Sequence, residues 1–184
     1  MQSSGEVGTF FLVKPDALRR GLAAPIVARL ESSGFVIASR ALVRLRAADV
    51  EELYGPHTFS KFTGDRLEMI RRNTLAYLGE AECLYLPATM RGEGDVFRRS
   101  NDLKGVHYAP ERCPPGSIRR DFRDAIMTSD VFLCGMEALV IPMIDRVVPN
   151  LIHCPAHVAE RDHQEDVLRR LLRADLAPAG DGPP

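Results

Sequence analysis

The chain has 184 residues, of which 45% are hydrophobic and 27% charged, and its formal net charge is −1 at pH 7. This length suits one domain with a sizeable core, and the small charge gives no general attraction to nucleic acid or membranes. No apolar run reaches the roughly 20 residues that a membrane-spanning helix needs. The four cysteines are scattered without a C-x-x-C pair, and no signal-peptide pattern opens the chain. We therefore expect a cytoplasmic protein without disulfides or a cysteine metal site.

Hydrophobic patterning predicts alternating strands and helices in the first half of the chain. The apolar run Thr9–Val13 is typical of a central buried strand, which Lys14-Pro15-Asp16 ends because proline cannot donate to the sheet. A basic loop over 17–21 and a helix opening at Ala24-Pro25 follow. The further predicted elements are a strand within 35–45, a short helix capped by Asp49 and ending at Tyr54, an amphipathic helix within 59–77 and a strand over 81–90.

The second half of the chain is less regular. Asp95 is expected to cap a short helix, and residues 105–116 form a long stretch rich in proline and glycine, which is typical of a functional loop. One helical turn at 117–122 precedes an apolar stretch within 125–148, which suits either a helix and a strand or a packing arm. A very short strand ending at His153 and a helix over 158–172 close the domain, which we place at 9–176. Residues 1–8 are expected to be flexible and 177–184 disordered.

The order of these elements predicts the fold class. Strands and helices alternate as β-α-β-α-β-α-β, which indicates an α+β fold of the ferredoxin-like type. In this fold a four-stranded antiparallel sheet has its helices packed on one face.

The stretch Asn150-Leu-Ile-His153 is the strongest candidate for chemistry. A histidine at the end of a short buried strand is held rigidly and can point into a cleft. Imidazole is the side chain whose unperturbed pKa allows it to be a neutral nucleophile or base near pH 7. Taken alone, such a histidine is more often structural than catalytic, so the case depends on other motifs in the chain.

Three separated motifs, in order, resemble the nucleoside diphosphate kinase family. Each has a counterpart among that family's opening strand, its proline-glycine run and its Asn-x-x-His active-site motif. They are Thr9-Phe-Phe-Leu-Val-Lys-Pro-Asp-Ala-Leu-Arg-Arg-Gly21, Pro115-Gly-Ser-Ile-Arg-Arg-Asp-Phe122 and Asn150-Leu-Ile-His153.

The resemblance implies an enzyme that moves the γ-phosphate of a nucleoside triphosphate to a histidine and then to a nucleoside diphosphate. Its implied partners are ATP and other nucleoside di- and triphosphates with Mg²⁺ carried on their phosphates, and it implies a homo-oligomer without nucleic-acid or membrane partners. The implied site is His153 as the nucleophile, Lys14 and Arg119 on the phosphate, Asn150 on sugar or phosphate, Tyr54 beside the histidine and Phe62 stacking on the base.

The resemblance also implies a carboxylate that accepts the second N–H of the histidine and fixes its tautomer. Glu165 on the last helix is the first choice for this role, and Asp166 or Gln164 is the alternative if the helical register differs.

The sequence departs from the family at several site positions. Pro155 stands where the family has a serine that orients the histidine, and proline offers neither a hydroxyl nor an N–H. Asn101 matches the family's phosphate-binding arginine, and His107 or Tyr108 matches its threonine. The nearby cations that can compensate for the lost arginine are Arg98, Arg99 and Lys104. An apolar insertion at about 123–149 further suits either a cover over the nucleotide cleft or a subunit contact.

Three functions fit these observations. The first is a divergent nucleoside diphosphate kinase. The second, motivated by Pro155 and Asn101, is a related fold kept as a nucleotide-binding or protein-interaction module. The third is a repurposed phosphotransferase with a different acceptor.

Overall fold

The computed structural model describes residues 8–105, 113–122 and 151–176, without the side chains of 174–176. Two predicted site residues, Asn150 and His107, lie outside these ranges. So do the predicted insertion at 123–149, the predicted tail at 177–184 and all but Gly8 of the predicted flexible N-terminus.

The strands are β1 (Thr9–Val13), β2 (Phe35–Ile37), β3 (Ala41–Leu45), β4 (Ala81–Met90) and β5 (Ile152–His153). The helices are α1 (Pro15–Arg19), α2 (Ala23–Ser32), α3 (Ala47–Tyr54), α4 (Gly64–Leu78), α5 (Val96–Lys104), α6 (Ile118–Asp121) and α7 (Val158–Leu176), with a 3₁₀ helix at Phe59–Lys61.

All strand pairs in the described sheet are antiparallel. β4 and β1 form its centre, β5 pairs with the free side of β1, and both β2 and β3 pair with β4. Because β2 and β3 lie one after the other along β4, they occupy one edge position. The sheet is therefore four strands wide and has the order expected of the predicted ferredoxin-like α+β class.

The single strand predicted over 35–45 is split in the structure, and Pro87 on β4 supplies the reason. The carbonyl of Pro87 accepts a hydrogen bond from the N–H of Ala38 (2.8 Å), so the side of Pro87 that lacks an N–H faces the edge strand. Residues 38–40 are the ones that leave the sheet there, between β2 and β3. The break thus falls where β4 cannot donate.

Three further predictions about local structure were wrong in detail. The predicted basic loop at 17–21 begins as helix α1, in which Pro15 occupies the first turn, where a missing N–H costs nothing. Asp49 is the third residue of α3 and not its N-cap: its Oδ2 accepts from the N–H of the N-cap residue Arg46 (2.8 Å), so it takes part in a capping box from inside the helix. The helix predicted over 59–77 is divided, because Gly64 takes φ +56° at the start of α4.

Helices cover both faces of the sheet, not one face as predicted. Alternate residues of β1 point to opposite sides, and all five are buried. Phe11 and Val13 belong to a core with α2, whereas Phe10 and Leu12 belong to a second core with α3 and α7. β1 is therefore the buried centre of the fold, which explains its continuous apolar sequence. Among the described helices, none is long and apolar enough to cross a membrane.

Candidate active site

The end of β1 and the start of β5 meet at one edge of the sheet. Leu12 pairs with His153, and the N–H of Lys14 donates to the carbonyl of Leu151 (2.8 Å). Leu151 has φ +61°, a strained conformation for a branched side chain. Asp16 holds it there, because its Oδ2 accepts from the N–H of Leu151 (3.1 Å). The Lys-Pro-Asp turn therefore fixes the backbone two residues before the candidate nucleophile.

Gln164 on α7 sets the tautomer of His153. Nε2 of His153 lies 2.8 Å from Oε1 of Gln164, and an amide oxygen only accepts, so the ring donates from Nε2. The amide nitrogen of Gln164 donates to the carbonyl of Leu53 (3.1 Å) and to Oε1 of Glu160 (3.3 Å). In a neutral ring the lone pair is then left on Nδ1. This nitrogen is the candidate nucleophile.

The surroundings of His153 keep its ring neutral. Burial lowers the pKa of His153 well below 6.5, and the charges of Lys104 and Lys14 lower it further against an opposing effect of the Gln164 hydrogen bond. The ring also packs at 5.5 Å from the Tyr54 ring and 6.2 Å from the Phe10 ring, measured between centroids. A histidine with such a low pKa is unprotonated at pH 7 and can attack an electrophile.

Three buried cations lie around His153. Lys14, Lys104 and Arg119 are 6%, 9% and 8% exposed, and we call them the cation cluster. Burial, followed by the charge of Arg119, lowers the pKa of Lys14 to about 7, and burial also lowers the pKa of Lys104. The charge of Asp16 raises the pKa of Lys14 and that of Glu160 raises the pKa of Lys104, but three buried cations beside two buried carboxylates still leave an excess of positive charge, which is costly. The cluster is therefore suited to a polyphosphate, which offers several negative oxygens.

Contacts from two other segments hold the cation cluster in place. Arg119 donates to the carbonyls of Gly105 (3.0 Å) and Ile152 (3.2 Å), which brings α6 to the strand that carries the histidine. Lys104 donates to Oδ1 of Asn101 (2.5 Å), and Nδ2 of Asn101 donates to the carbonyl of Pro155 (3.1 Å). Asn101, at the position where the family has an arginine, thus joins α5 to the loop after the histidine.

Among Arg98, Arg99 and Lys104, the predicted substitutes for that arginine, only Lys104 is buried beside the histidine. Arg98 lies at the surface, 4.0 Å from Asp102, and Arg99 donates to the carbonyl of Ser33 (3.4 Å). Both arginines line an open cleft between α5 and residues 114–117. Burial and electrostatic coupling to His153 therefore single out Lys104.

The structure does not bring Glu165 to His153. Glu165 accepts from the hydroxyl of Tyr85 (3.1 Å) and from Arg169 (3.2 Å), and Asp166 lies 3.8 Å from Arg170. Successive helical residues point about 100° apart, so only one of three consecutive side chains can face the ring. That side chain is Gln164, which was the alternative and which is an amide where a carboxylate was expected.

The remaining predicted residues are placed as follows. Tyr54 lies beside the histidine as expected. Phe62 follows the 3₁₀ helix and packs under the guanidinium of Arg66 (5.0 Å to the ring centroid), with no described contact to His153. Sequence reasoning did not single out Glu160 or the structural part played by Asp16. The four-residue spacing of Glu160 and Gln164, which places both on one helix face, was the available signal.

The residues present fit a metal that arrives with the phosphates. The described ranges contain no group of three or more His, Cys, Asp or Glu side chains that could hold a metal ion. The cation cluster would also repel a bare divalent ion. Mg²⁺ on the nucleotide stays a prediction.

Comparisons with known proteins agree in pointing to one family. The family model described as nucleoside diphosphate kinase matches residues 8–168. A nucleoside diphosphate kinase from Wolinella succinogenes is 29% identical over 118 residues, 64% of this chain and 77% of the relative. One from Campylobacter jejuni is 30% identical over 118 residues, with the same shares.

Solved structures show the same fold. The nucleoside diphosphate kinase of Borrelia burgdorferi, a transition-state mimic with vanadate and ADP, has a TM-score of 0.66 at 17% identity, covering 88% of this chain and 85% of that one. The kinase from Pyrobaculum aerophilum has a TM-score of 0.66 at 21% identity, covering 87% and 93%.

Proposed function

Because this chain belongs to the nucleoside diphosphate kinase family, we propose that it transfers the γ-phosphate of a nucleoside triphosphate to a nucleoside diphosphate through a phosphohistidine at His153. The observation that carries the proposal is the state of His153. Its Nε2–H is committed to Gln164, which leaves the lone pair of the neutral ring on Nδ1, and its pKa is lowered by burial among cations. These are the requirements of a nitrogen nucleophile at neutral pH.

The reaction proceeds in two symmetric halves. The Nδ1 lone pair of His153 attacks the γ-phosphorus, the bond from that phosphorus to the β,γ-bridging oxygen breaks, and the nucleoside diphosphate leaves with that electron pair. The ring keeps its Nε2 proton, which is hydrogen-bonded to Gln164. A second nucleoside diphosphate then attacks the phosphohistidine through a terminal oxygen and returns the ring to its neutral form. Splitting the transfer in this way gives ping-pong kinetics.

The cation cluster supplies the electrostatic part of this mechanism. Phosphoryl transfer depends mainly on positioning and on neutralising the charge of the phosphate oxygens. Lys14 and Arg119 would bind the transferring phosphate, and Lys104 would take the phosphate contact that Asn101 cannot make. Mg²⁺, when bound, would add a further charge on the phosphates. We place Tyr54 against the ring of the histidine. Phe62 would stack on the base, and Asn150 would bind the sugar or a phosphate.

A second candidate function follows from Gln164 and Pro155. A neutral amide compensates the positive charge of a phosphorylated ring less than a carboxylate would. Pro155 also removes a hydroxyl that the family resemblance leads us to expect near the histidine. Both departures favour a weakened kinase that binds nucleotides and transfers phosphate slowly, or that uses another acceptor.

Labelling with γ-labelled ATP and Mg²⁺ tests the proposal. The wild-type protein should acquire an acid-labile, alkali-stable label that moves to added nucleoside diphosphate. His153→Ala should lose it, whereas His57→Ala, which changes a histidine in the turn between α3 and the 3₁₀ helix, should keep it. Label without transfer would favour a different acceptor. Absence of label in a protein that binds ADP would refute the kinase and leave the nucleotide-binding module.

A further inference from the structure

Glu160 is a buried carboxylate that the proposed mechanism does not use. It lies in the first turn of α7, is 6% exposed, and stands one helical turn before the fully buried Gln164. Its Oε2 accepts from the N–H of Ala156 (2.8 Å), and its Oε1 accepts from Nε2 of Gln164 (3.3 Å). A buried carboxylate is costly unless its hydrogen bonds compensate, so both contacts need an explanation.

The contact with Gln164 solves a problem that a glutamine creates beside a histidine. The two ends of an amide have nearly the same shape, but one accepts hydrogen bonds and the other donates them. If the amide of Gln164 turned over, its NH₂ group would face Nε2 of His153. The ring proton would then move to Nδ1, and the lone pair needed for attack would be lost. A carboxylate that accepts from the NH₂ group of Gln164 can prevent this turnover without contacting His153 itself.

We infer that Glu160 is a positioning residue for His153, acting through Gln164. Its carboxylate accepts only, as does the carbonyl of Leu53, so the two acceptors hold the NH₂ group of Gln164 away from the ring. The amide oxygen is left facing Nε2 of His153. This inference rests on the proposed function for its effect on rate, whereas its effect on the tautomer is independent of catalysis.

Moving the carboxylate distinguishes this role from a structural one. Glu160 also accepts from the N–H of Ala156, two residues before α7 begins, and that bond alone would make it an ordinary helix-capping residue. The double variant Glu160→Gln with Gln164→Glu alters the bond to Ala156 just as Glu160→Gln alone does. In the double variant, however, a carboxylate at position 164 accepts directly from Nε2 of His153. The net charge of the protein is unchanged.

The first measurement is the rate at which His153 is labelled from γ-labelled ATP. Glu160→Gln should slow labelling by roughly 10- to 100-fold, the loss typical of a hydrogen bond to a charged group. The double variant should recover to within about threefold of wild type. Glu165→Gln, which changes the adjacent carboxylate that faces Tyr85, serves as the control and should leave the rate unchanged. A double variant as slow as Glu160→Gln would overturn the inference.

The second measurement is the tautomer of His153, read from ring ¹⁵N chemical shifts of the nucleotide-free protein and assigned with His153→Ala. Wild type and the double variant should show the Nε2–H form, and Glu160→Gln should show a substantial Nδ1–H share. An unchanged tautomer in Glu160→Gln refutes the positioning role even if the protein is a kinase. A changed tautomer in a protein that is never labelled supports the role and refutes only the proposed function.

Discussion

Lys14→Met should make the nucleotide-free protein more stable, by an amount that shrinks as pH rises. Burial lowers the pKa of Lys14 to about 7 in the folded protein, against an ordinary value of 10.5. Between these values the unfolded chain binds more protons than the folded one, so wild-type stability rises with pH. Below pH 7 both states carry the proton, and the full cost of a buried charge is present. Methionine has a similar length and no charge, so it removes that cost.

The size of the effect follows from the interval between the two pKa values, which is about 3.5 pH units. Each unit corresponds to about 1.4 kcal/mol, so the full cost at pH 6 is on the order of 5 kcal/mol. Between pH 7.5 and pH 9.5 the wild type should therefore gain about 3 kcal/mol relative to Lys14→Met. A lysine that binds a polyphosphate would recover this cost only when the anion is present, which is the usual conflict between stability and function.

Urea unfolding of both proteins without nucleotide, at pH 6, 7.5 and 9.5, measures the gap, which is the difference in free energy of unfolding between Lys14→Met and wild type. Taking the difference between variants cancels groups that titrate alike in both, such as Tyr85, whose pKa burial raises to about 12 without any contribution from Lys14. Lys61→Met changes an exposed lysine and should alter the free energy of unfolding little at any of these pH values. A gap of equal size at pH 7.5 and 9.5 would refute the reasoning, because it would mean that Lys14 is not the titrating group.

Three further predictions concern the same site. Lys104→Leu should weaken ADP binding roughly tenfold by calorimetry, whereas Arg98→Leu at the surface should not; equal losses would contradict the assignment. Tyr54→Phe removes a buried hydroxyl without a hydrogen-bond partner in the described structure, so the free energy of unfolding should rise by up to about 1 kcal/mol rather than fall. Because the pKa of His153 is well below 6.5, the labelling rate should not decline between pH 8 and pH 6; a loss of half the rate near pH 6.5 would mean an ordinary imidazole.

The fold was predictable where local pattern and burial agree. β1 and β4 have the predicted limits because β1 is a continuous apolar run and β4 is a long strand beside it. The split between β2 and β3 was not predictable, because it depends on which side of β4 the missing N–H of Pro87 faces. That side is set by the strand register, and a sequence without its partner strand does not contain it.

The candidate site was predictable in its main residues but not in their connections. His153, Lys14 and Arg119 came from motifs, and the structure brings them together. The choice of Glu165 failed because helix α7 had no marker of its rotation, and an error of one residue turns a side chain by about 100°. Lys104 and Glu160 are charged residues that became buried through packing, which the local sequence of a polar helix face does not indicate.

The displaced carboxylate leads to one more expectation, about the stability of the phosphorylated enzyme. Phosphorylation on Nδ1 leaves the ring of His153 positively charged, and Glu160 lies one side chain further from that charge than a carboxylate at position 164 would. With an effective dielectric constant near 20, moving a charge from roughly 4 Å to roughly 7 Å costs about 2 kcal/mol of attraction. At a fixed ratio of ATP to ADP, the double variant with Glu160→Gln and Gln164→Glu should therefore hold more label than wild type, by a factor of roughly ten or more. Equal labelling at equilibrium would show that the amide already compensates the charge, and that the glutamine does not weaken the phosphohistidine.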